Sequence, residues 1–595
     1  MIMADILTIK SFYGGINTIK AEHDIADTQA ASCYNVYNPD LNGVNTRYGY
    51  SRYYSTSFVA TTFNAFFTYN EYATSTFLFA ASGILYQDLG SGASATQVYS
   101  GIGTGVVRTF EMEGSIYMLD SSNYLVYNTS GATGVTPYVP TYWLNANPDG
   151  TGGGQLDELN FLTAAFIQTF NGNGYSTAFY LQFGNITGTS FIVLVDDVTQ
   201  TSGAASAGYT VDYTSGIFNL TTAPSTAVGN VSIQAYAGSG IALDSTEITN
   251  CTICETYGVG AAINAYLTGN PDHPARLYWS DLLDPTYYPA TSYAEIGVQN
   301  DKIMGLLGHA NSLLIFKYDS IHAWNGVPPE NSVTEIYVGE GCIATDSLKL
   351  ANGYPTLFSQ RGVCILEKEG LGYVLTLISE DANGIPGVRD GIMTETLADR
   401  EATIAWVHDK KYWILLNGTI WVYQYNLVHR EDNRTIYPFI PWKSTANFSD
   451  IKNFAQKDQH LYFAGSGNFF MFDPLISDDD GNAISSYWLG KEFHIGETYD
   501  IIKSFNYQYW HLRAYGNIAT STATLSNFVS GASNIKYFTL TPNTSVAFVE
   551  YSIRHPIHYK SNSIQYSVYT DTLSGGFAFQ GSKVYYENER KNIET

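Results

Sequence analysis

The chain has 595 residues, 45% of them hydrophobic and only 14% charged, with 54 glycines and 48 tyrosines against 29 lysines plus arginines. That is enough apolar material for several hydrophobic cores, so whole-chain disorder is excluded, and the Tyr- and Gly-rich balance favours strands and turns over long helices. The net charge of −25 has the wrong sign for gripping a phosphate backbone, where affinity comes from cations that displace counterions; it suits a wall that DNA slides past, or simply keeps a Tyr-rich protein in solution.

The opening MIMADILTIKSF lacks the basic region and long apolar run of a secretory signal, and no window approaches the ~20 apolar residues of a membrane span, so synthesis and folding in a cytoplasm are expected. SFYGGIN follows at Ser11–Asn17, where Gly14 and Gly15 are read as allowing a backbone conformation closed to other residues. A unit of about 13 residues then recurs: an apolar strand, a tight turn with Gly, Asp or Asn, and a second strand with an aromatic end. Its copies are FLFAASGILYQD from Phe77, SIYMLDSSNYLVYN from Ser115, LLIFKYDSIHAWNG from Leu313, TLFSQRGVCILEKEG from Thr356, YWILLNGTIWVYQYN from Tyr412 and LYFAGSGNFFMFDP from Leu461.

Between the second and third copies, residues from about Leu156 to Tyr236 carry short strands at regular spacing, the pattern of a small β-sandwich, and the TGGGQ before them reads as a linker. After the last copy, SIQYSVYTD and KVYYENE belong to further alternating strands. The fold class expected is all-β, a β-propeller core with an inserted β-sandwich domain and a C-terminal β-domain. Stacked β-sandwiches are the competing architecture, since they use the same hairpins. The domains expected are an N-terminal arm with the first blades at 1–150, the inserted sandwich at 151–240, the remaining blades at 241–483 and the C-terminal β-domain at 484–595.

Candidate chemistry is sparse. There is no G-x-S-x-G, H-E-x-x-H or phosphate loop. SDDDG at Ser477–Gly481 starts like an Asp-box turn, but Ile484 stands where an aromatic is expected. Its carboxylates are either weak Ca²⁺ candidates, Asp478 and Asp480 foremost, or a solvated acidic turn, and the second reading is preferred. Cys251 and Cys254 form a lone C-x-x-C without a second pair or paired His, so the five cysteines are expected to be reduced and metal-free. His273 and His309 flank a Tyr- and Trp-rich stretch, read as core or interface before sugar platform. Arg47 and Arg276 are either bidentate partners of buried carboxylates or caps of surface loops; both remain open. No catalytic residue, cofactor or resident metal is expected, and the chain is expected not to be an enzyme.

SFYGGIN with DIADTQAASCYNVYNPDLNGVNTRYGY (Asp24–Tyr50) resembles the N-terminus of short-tailed bacteriophage tail proteins. HPARLYWSDLLDPTYYP (His273–Pro289) with the hairpins after it resembles the propeller body of tail tubular protein B, or nozzle, proteins. The residues carrying this resemblance are Gly14, Gly15, Asn17, Arg47, Gly49, Arg276 and Trp279. It implies a homo-hexameric nozzle in the virion, below the portal and the head-to-tail adaptor, that lets dsDNA pass without tight binding and carries tail fibres or spikes. The alternative is a receptor-binding or polysaccharide-degrading tail protein in contact with the host surface.

Overall fold

The computed structural model describes residues 5–588 except 40–42, 55–62, 72–73, 91–94, 204–207, 239–242, 371, 445–447, 466, 495–501, 516–520, 530–531, 541–547 and 572–575. Part of the DLNG stretch of the N-terminal motif therefore lies outside the described residues. The chain is all-β, and it divides into two compact units, one of residues 1–97 and 336–595, the other of residues 98–335.

The recurring element is a four-stranded sheet whose strands are taken in chain order, with a separate hairpin, His429–Glu431 with Arg434–Ile436, intervening before the last strand of one of them. In the first unit these sheets begin at Phe63–Glu71, at Lys349–Ala351 and at Ile404–His408; in the second they begin at Arg108–Met112, at Ile253–Val259 and at Ile303–His309. One further sheet of the first unit takes Asn453–Lys457, His460–Gly465 and Asn468–Asp473 in order and receives its fourth strand, Gly49–Arg52, from the N-terminal arm. Each of the six recurring hairpins is the middle pair of such a sheet. Ser115–Leu119 pairs antiparallel with Tyr124–Asn128, for example, and Lys411–Leu416 with Thr419–Gln424. Middle strands such as Ser312–Lys317 and Lys411–Leu416 are paired on both edges and buried along their whole length, so they read as short apolar runs bounded by turn residues.

The sheet at 253–295 has no counterpart among the six copies. Its middle strands, Ala262–Thr268 and Arg276–Trp279, are joined through the loop holding His273 and not by a tight turn, which removes the turn signal that marks the others.

Neighbouring sheets pack through aromatic faces. Trp413, which meets Trp442 of its own sheet edge-on at 4.9 Å, reaches Phe472 of the next at 5.3 Å, while Phe469 stacks on Phe66 at 4.5 Å. In the second unit, Leu277 and Tyr266 pack with Ile303, Leu313 and Trp324. Rings packed edge to face contribute about 0.5–1.5 kcal/mol per pair beyond the area they bury.

The inserted sandwich begins earlier than the sequence suggests. Thr141–Ala146 already runs parallel to Ala165–Gly172, and Gly154–Gln155 pairs back on it. TGGGQ is thus a hairpin within the sandwich and not a linker; Gly152 O accepts from the Trp143 indole at 3.0 Å. Phe166, Phe170, Val193 and Ile233 of one sheet face Phe179, Tyr209 and Phe218 of the other. Asn160, wholly buried, fastens the insertion: its Nδ2 donates to Tyr138 O and Thr286 O, and its Oδ1 accepts from the backbone of Leu162 and Tyr288.

The C-terminal sandwich is built from both ends of the chain. One sheet has Asp5–Ile9 and Val44–Thr46 paired with Ala578–Asn588, followed by Lys503–Tyr515 and Phe548–Ser561. The other places Ala30–Tyr34 against Ser486–Gly490, then Ser563–Thr570 and the hairpin of Ser521–Val529 with Ala532–Leu540. Phe12 sits at the centre, 4.7 Å from Phe579 and 6.0 Å from Trp488. The region from 484 onward is therefore not a self-contained domain, because its sheets are completed by the arm.

Many tyrosines are buried with their hydroxyls engaged, such as Tyr54 on Asp88, Tyr124 on Pro285 O and Tyr412 on Ser347 O. Burial is the largest cause pushing these three phenols above the ordinary value of 10.0, and it raises Tyr462 to about 12. A raised folded pKa means that the fold favours the protonated phenol. The stability it carries is complete below pH 10 and is lost as the pH climbs from there towards the folded values. We expect cooperative alkaline unfolding above about pH 10, with the tyrosinate absorbance step coinciding with loss of the β circular-dichroism signal. Tyrosinate appearing in full while the β signal persists contradicts this.

Candidate functional site

Two arginine-centred clusters gather the residues singled out in the sequence, one in each unit. In the first unit the side chain of Arg47 is fully buried. Every N–H of its guanidinium has an acceptor. Nε donates to Asn35 Oδ1 at 3.0 Å, Nη1 to Asp479 Oδ1 at 2.7 Å and Tyr48 O at 3.0 Å, and Nη2 to Asp479 Oδ2 at 2.5 Å and Lys443 O at 2.9 Å. Trp442 and Phe448 cover the cation at 5.6 and 5.4 Å. The question left open by sequence is answered: Arg47 is the bidentate partner of a buried carboxylate.

The acidic turn supplies that partner. Asp479 takes Arg47, Asp480 pairs with Arg52 at 2.6 Å, and Asp478 Oδ1 accepts the Gly481 amide at 2.7 Å. The three carboxylates thus have separate protein donors instead of converging on a common point. Gly49 is required beside them, because a Cβ there falls 1.8 Å from Asp478 O.

The other end of the arm is tied in the same way. Gly15 has a positive φ of +70°, and a Cβ there falls 2.6 Å from the Phe439 amide; Gly14 donates to Thr28 O at 2.9 Å. Asn17, wholly buried, donates to Gln29 Oε1 at 3.0 Å, and Gln29 donates to Asp381, which also pairs with Arg434 at 2.8 Å. Gly14, Gly15, Asn17, Arg47 and Gly49 therefore share one task, fixing the arm against the body of the first unit.

In the second unit Arg276 lies between two carboxylates. Its Nε donates to Glu295 at 2.7 Å and its Nη1 to Glu247 at 3.2 Å, and the guanidinium sits 4.3 Å over the Tyr293 ring. Glu247, in the short helix Thr246–Thr249, also meets His273 at 3.2 Å and the Tyr278 hydroxyl. Burial, then this carboxylate, pushes the Tyr278 phenol up. Trp279 points to the next sheet and packs on Trp324 at 5.3 Å. His309 closes the strand Ile303–His309 opposite Ser312. Cys251 and Cys254 are free thiols, Cys251 donating to Glu247 O. Burial pushes both thiols up, Cys254 to about 12.

Sequence inspection found both arginines but missed Glu247, Glu295 and Asn35. A lone Glu in a short helix or strand carries no local mark of its partner. Both oxygens of Glu247 are occupied by its own neighbours, an arrangement that positions Arg276 and its aromatic cover.

Removing a buried charge partner costs about 3–5 kcal/mol. Arg47→Ala is expected to destabilise the chain on that scale, and Arg47→Lys to fail to restore it, because a point charge cannot occupy both Asp479 oxygens. Chemical denaturation monitored by tryptophan fluorescence measures this; a loss under about 1 kcal/mol, the level of a surface ion pair, contradicts the clasp.

No protein-family model matches the sequence, and no curated protein is similar to it. Among solved structures, the matches include three of an exo-beta-1,3-galactanase from Phanerochaete chrysosporium, with beta-1,3-galactotriose, galactose and beta-1,3-galactotriose respectively. They are 8%, 8% and 9% identical, each over 56% of this chain and 95% of that one, with TM-scores of 0.22, 0.21 and 0.23. The extracellular domain of a hybrid two component system from B. thetaiotaomicron matches at 12% identity over 72% of this chain and 52% of that one, with a TM-score of 0.24. With glycoside hydrolases among the matches, the expectation that the chain is not an enzyme is overturned and withdrawn. At these identities and TM-scores, neither their activity nor their ligands pass to this chain.

Proposed function

We propose that this chain is a structural component of a short-tailed bacteriophage tail, a nozzle-type subunit whose sheets close into a propeller. Six copies form the DNA exit channel below the portal and adaptor and carry fibres or spikes. The observation that supports this reading best is the arm. Five of the seven residues on which the resemblance rests, Gly14, Gly15, Asn17, Arg47 and Gly49, fasten the N-terminal arm, whose strands enter three different sheets of the first unit. The net charge of −25 agrees with a channel wall that offers a phosphate backbone no binding minimum.

Electron microscopy of the purified chain, alone and with the portal and adaptor, tests the proposal. Sixfold rings with an open axial channel are expected, with no retention on dsDNA at physiological salt. Monomers or trimers placed at the tail periphery, or a net-basic channel wall, overturn it.

A second reading, recognition of a host-surface glycan, is favoured by one feature of the inserted sandwich. Tyr175, Tyr180 and Tyr213 are exposed at 80, 42 and 46%, and such rings are natural stacking faces for sugars. On this reading, Tyr175→Ala and Tyr213→Ala each weaken binding to a glycan array at least about tenfold, the equivalent of 1.4 kcal/mol, while leaving ring assembly intact. Unchanged array binding, or no glycan bound by the parent chain, removes this reading.

A further inference from the structure

The N-terminal arm and the C-terminal sandwich meet at a second place, away from Arg47, and bring together His23, Glu492 and His494. One ligand-capable atom from each lies within 4.8 Å of the others. The two imidazoles face one another edge-on, with ring centroids 5.4 Å apart, and His494 Nε2 lies 3.8 Å from Glu492 Oε1. We propose that this is a binding site for a divalent transition cation, zinc in the first instance, which staples residue 23 of the arm to the sandwich.

The chemistry of the donors selects the ion. Two imidazoles and one carboxylate suit zinc, which takes nitrogen ligands at ~2.0–2.1 Å and fills a fourth position with water; calcium and magnesium prefer all-oxygen sets. Tetrahedral bonds of that length put ligand atoms about 3.3 Å apart, so the three side chains must close by an ångström or so. All three side chains reach solvent, His23, Glu492 and His494 being 39, 31 and 23% exposed.

The backbone beneath them is already fixed. The Glu492 amide donates to Glu22 O at 3.1 Å, Gln565 donates to the Glu22 carboxylate at 2.8 Å, Lys491 pairs with Asp27 at 2.8 Å, and Phe493 and His494 are paired with Ile564 and Ser563. None of these contacts uses the side chains of the proposed ligands, so the scaffold brings them together independently. The carboxylate is oriented as well: Ser563 Oγ donates to Glu492 Oε1 at 2.6 Å, the kind of outer contact that tunes metal ligands. Asp24, with an oxygen 3.5 Å from His23 Nε2, adds negative charge nearby.

The test uses the untagged full-length chain, stripped with chelator and dialysed against zinc chloride, with bound metal measured by plasma mass spectrometry and thermal unfolding followed in parallel. One zinc per chain and a higher unfolding temperature are expected. His23→Ala and His494→Ala, alone and combined, are expected to abolish both effects, and Ser563→Ala to weaken binding by about 10–100-fold. Cobalt in place of zinc is expected to give visible bands without thiolate charge transfer. Should the histidine variants fail to fold, zinc must protect His23 and His494 of the parent chain from diethyl pyrocarbonate modification. No saturable zinc binding, binding unchanged in the double variant, a thiolate band, or modification unaffected by zinc each overturns the site.

Discussion

The burial of the Arg47 guanidinium constrains the rest of the first unit. A cation removed from water costs several kcal/mol, and its folded position is tolerable only if charge and hydrogen bonds are both met. The acceptors that meet them come from four separate stretches, at Asn35, Tyr48, Lys443 and Asp479. None of these can shift without stranding a buried charge, so the arm, the sheet ending at Lys443 and the acidic turn are positioned together. Gly49, against Asp478 O, is a consequence of the same closeness. The arm can then contribute Gly49–Arg52 to one sheet and Val44–Thr46 to another within a few residues.

Around this point the structure relies on aromatic packing with polar tips satisfied. Tyr50 touches Phe463, Phe470 and Phe472 at 5.1, 5.4 and 5.8 Å, and its hydroxyl reaches Ser444. Tyrosine makes large contacts at small entropic cost and can still end on a hydrogen bond, which explains how a chain so poor in charge packs many sheets. In the second unit the same economy appears at Arg276, held between Glu247 and Glu295 and covered by Tyr293.

Legibility followed the range of the interaction. The six hairpins were readable because two apolar strands and a tight turn are encoded within about a dozen residues. The sheet at 253–295 escaped because its middle strands are joined through the His273 loop, and the start of the insertion escaped because Thr141–Ala146 pairs parallel with a strand some twenty residues on. Gly-rich TGGGQ looked like a linker, although its last two residues are paired. At the clusters, residue type flagged Arg47 and Arg276 as special, yet whether each met a carboxylate or solvent depended on residues remote in the chain.

The sequence by itself determined the all-β class and the hairpins, since each is settled by neighbours along the chain, whereas the close approaches that require Gly15 and Gly49 are made to Phe439 and Asp478, remote in the chain. Tertiary structure alone decided that Asp5 pairs with Tyr586, that Arg47 finds Asp479, and that His23 meets His494. The physical reason is that an extended strand edge or a charged side chain states what kind of partner it needs, but not which one. The choice among many equivalent edges and carboxylates is made by the packing of the whole chain, which favours the pairings that leave buried charges and backbone groups met.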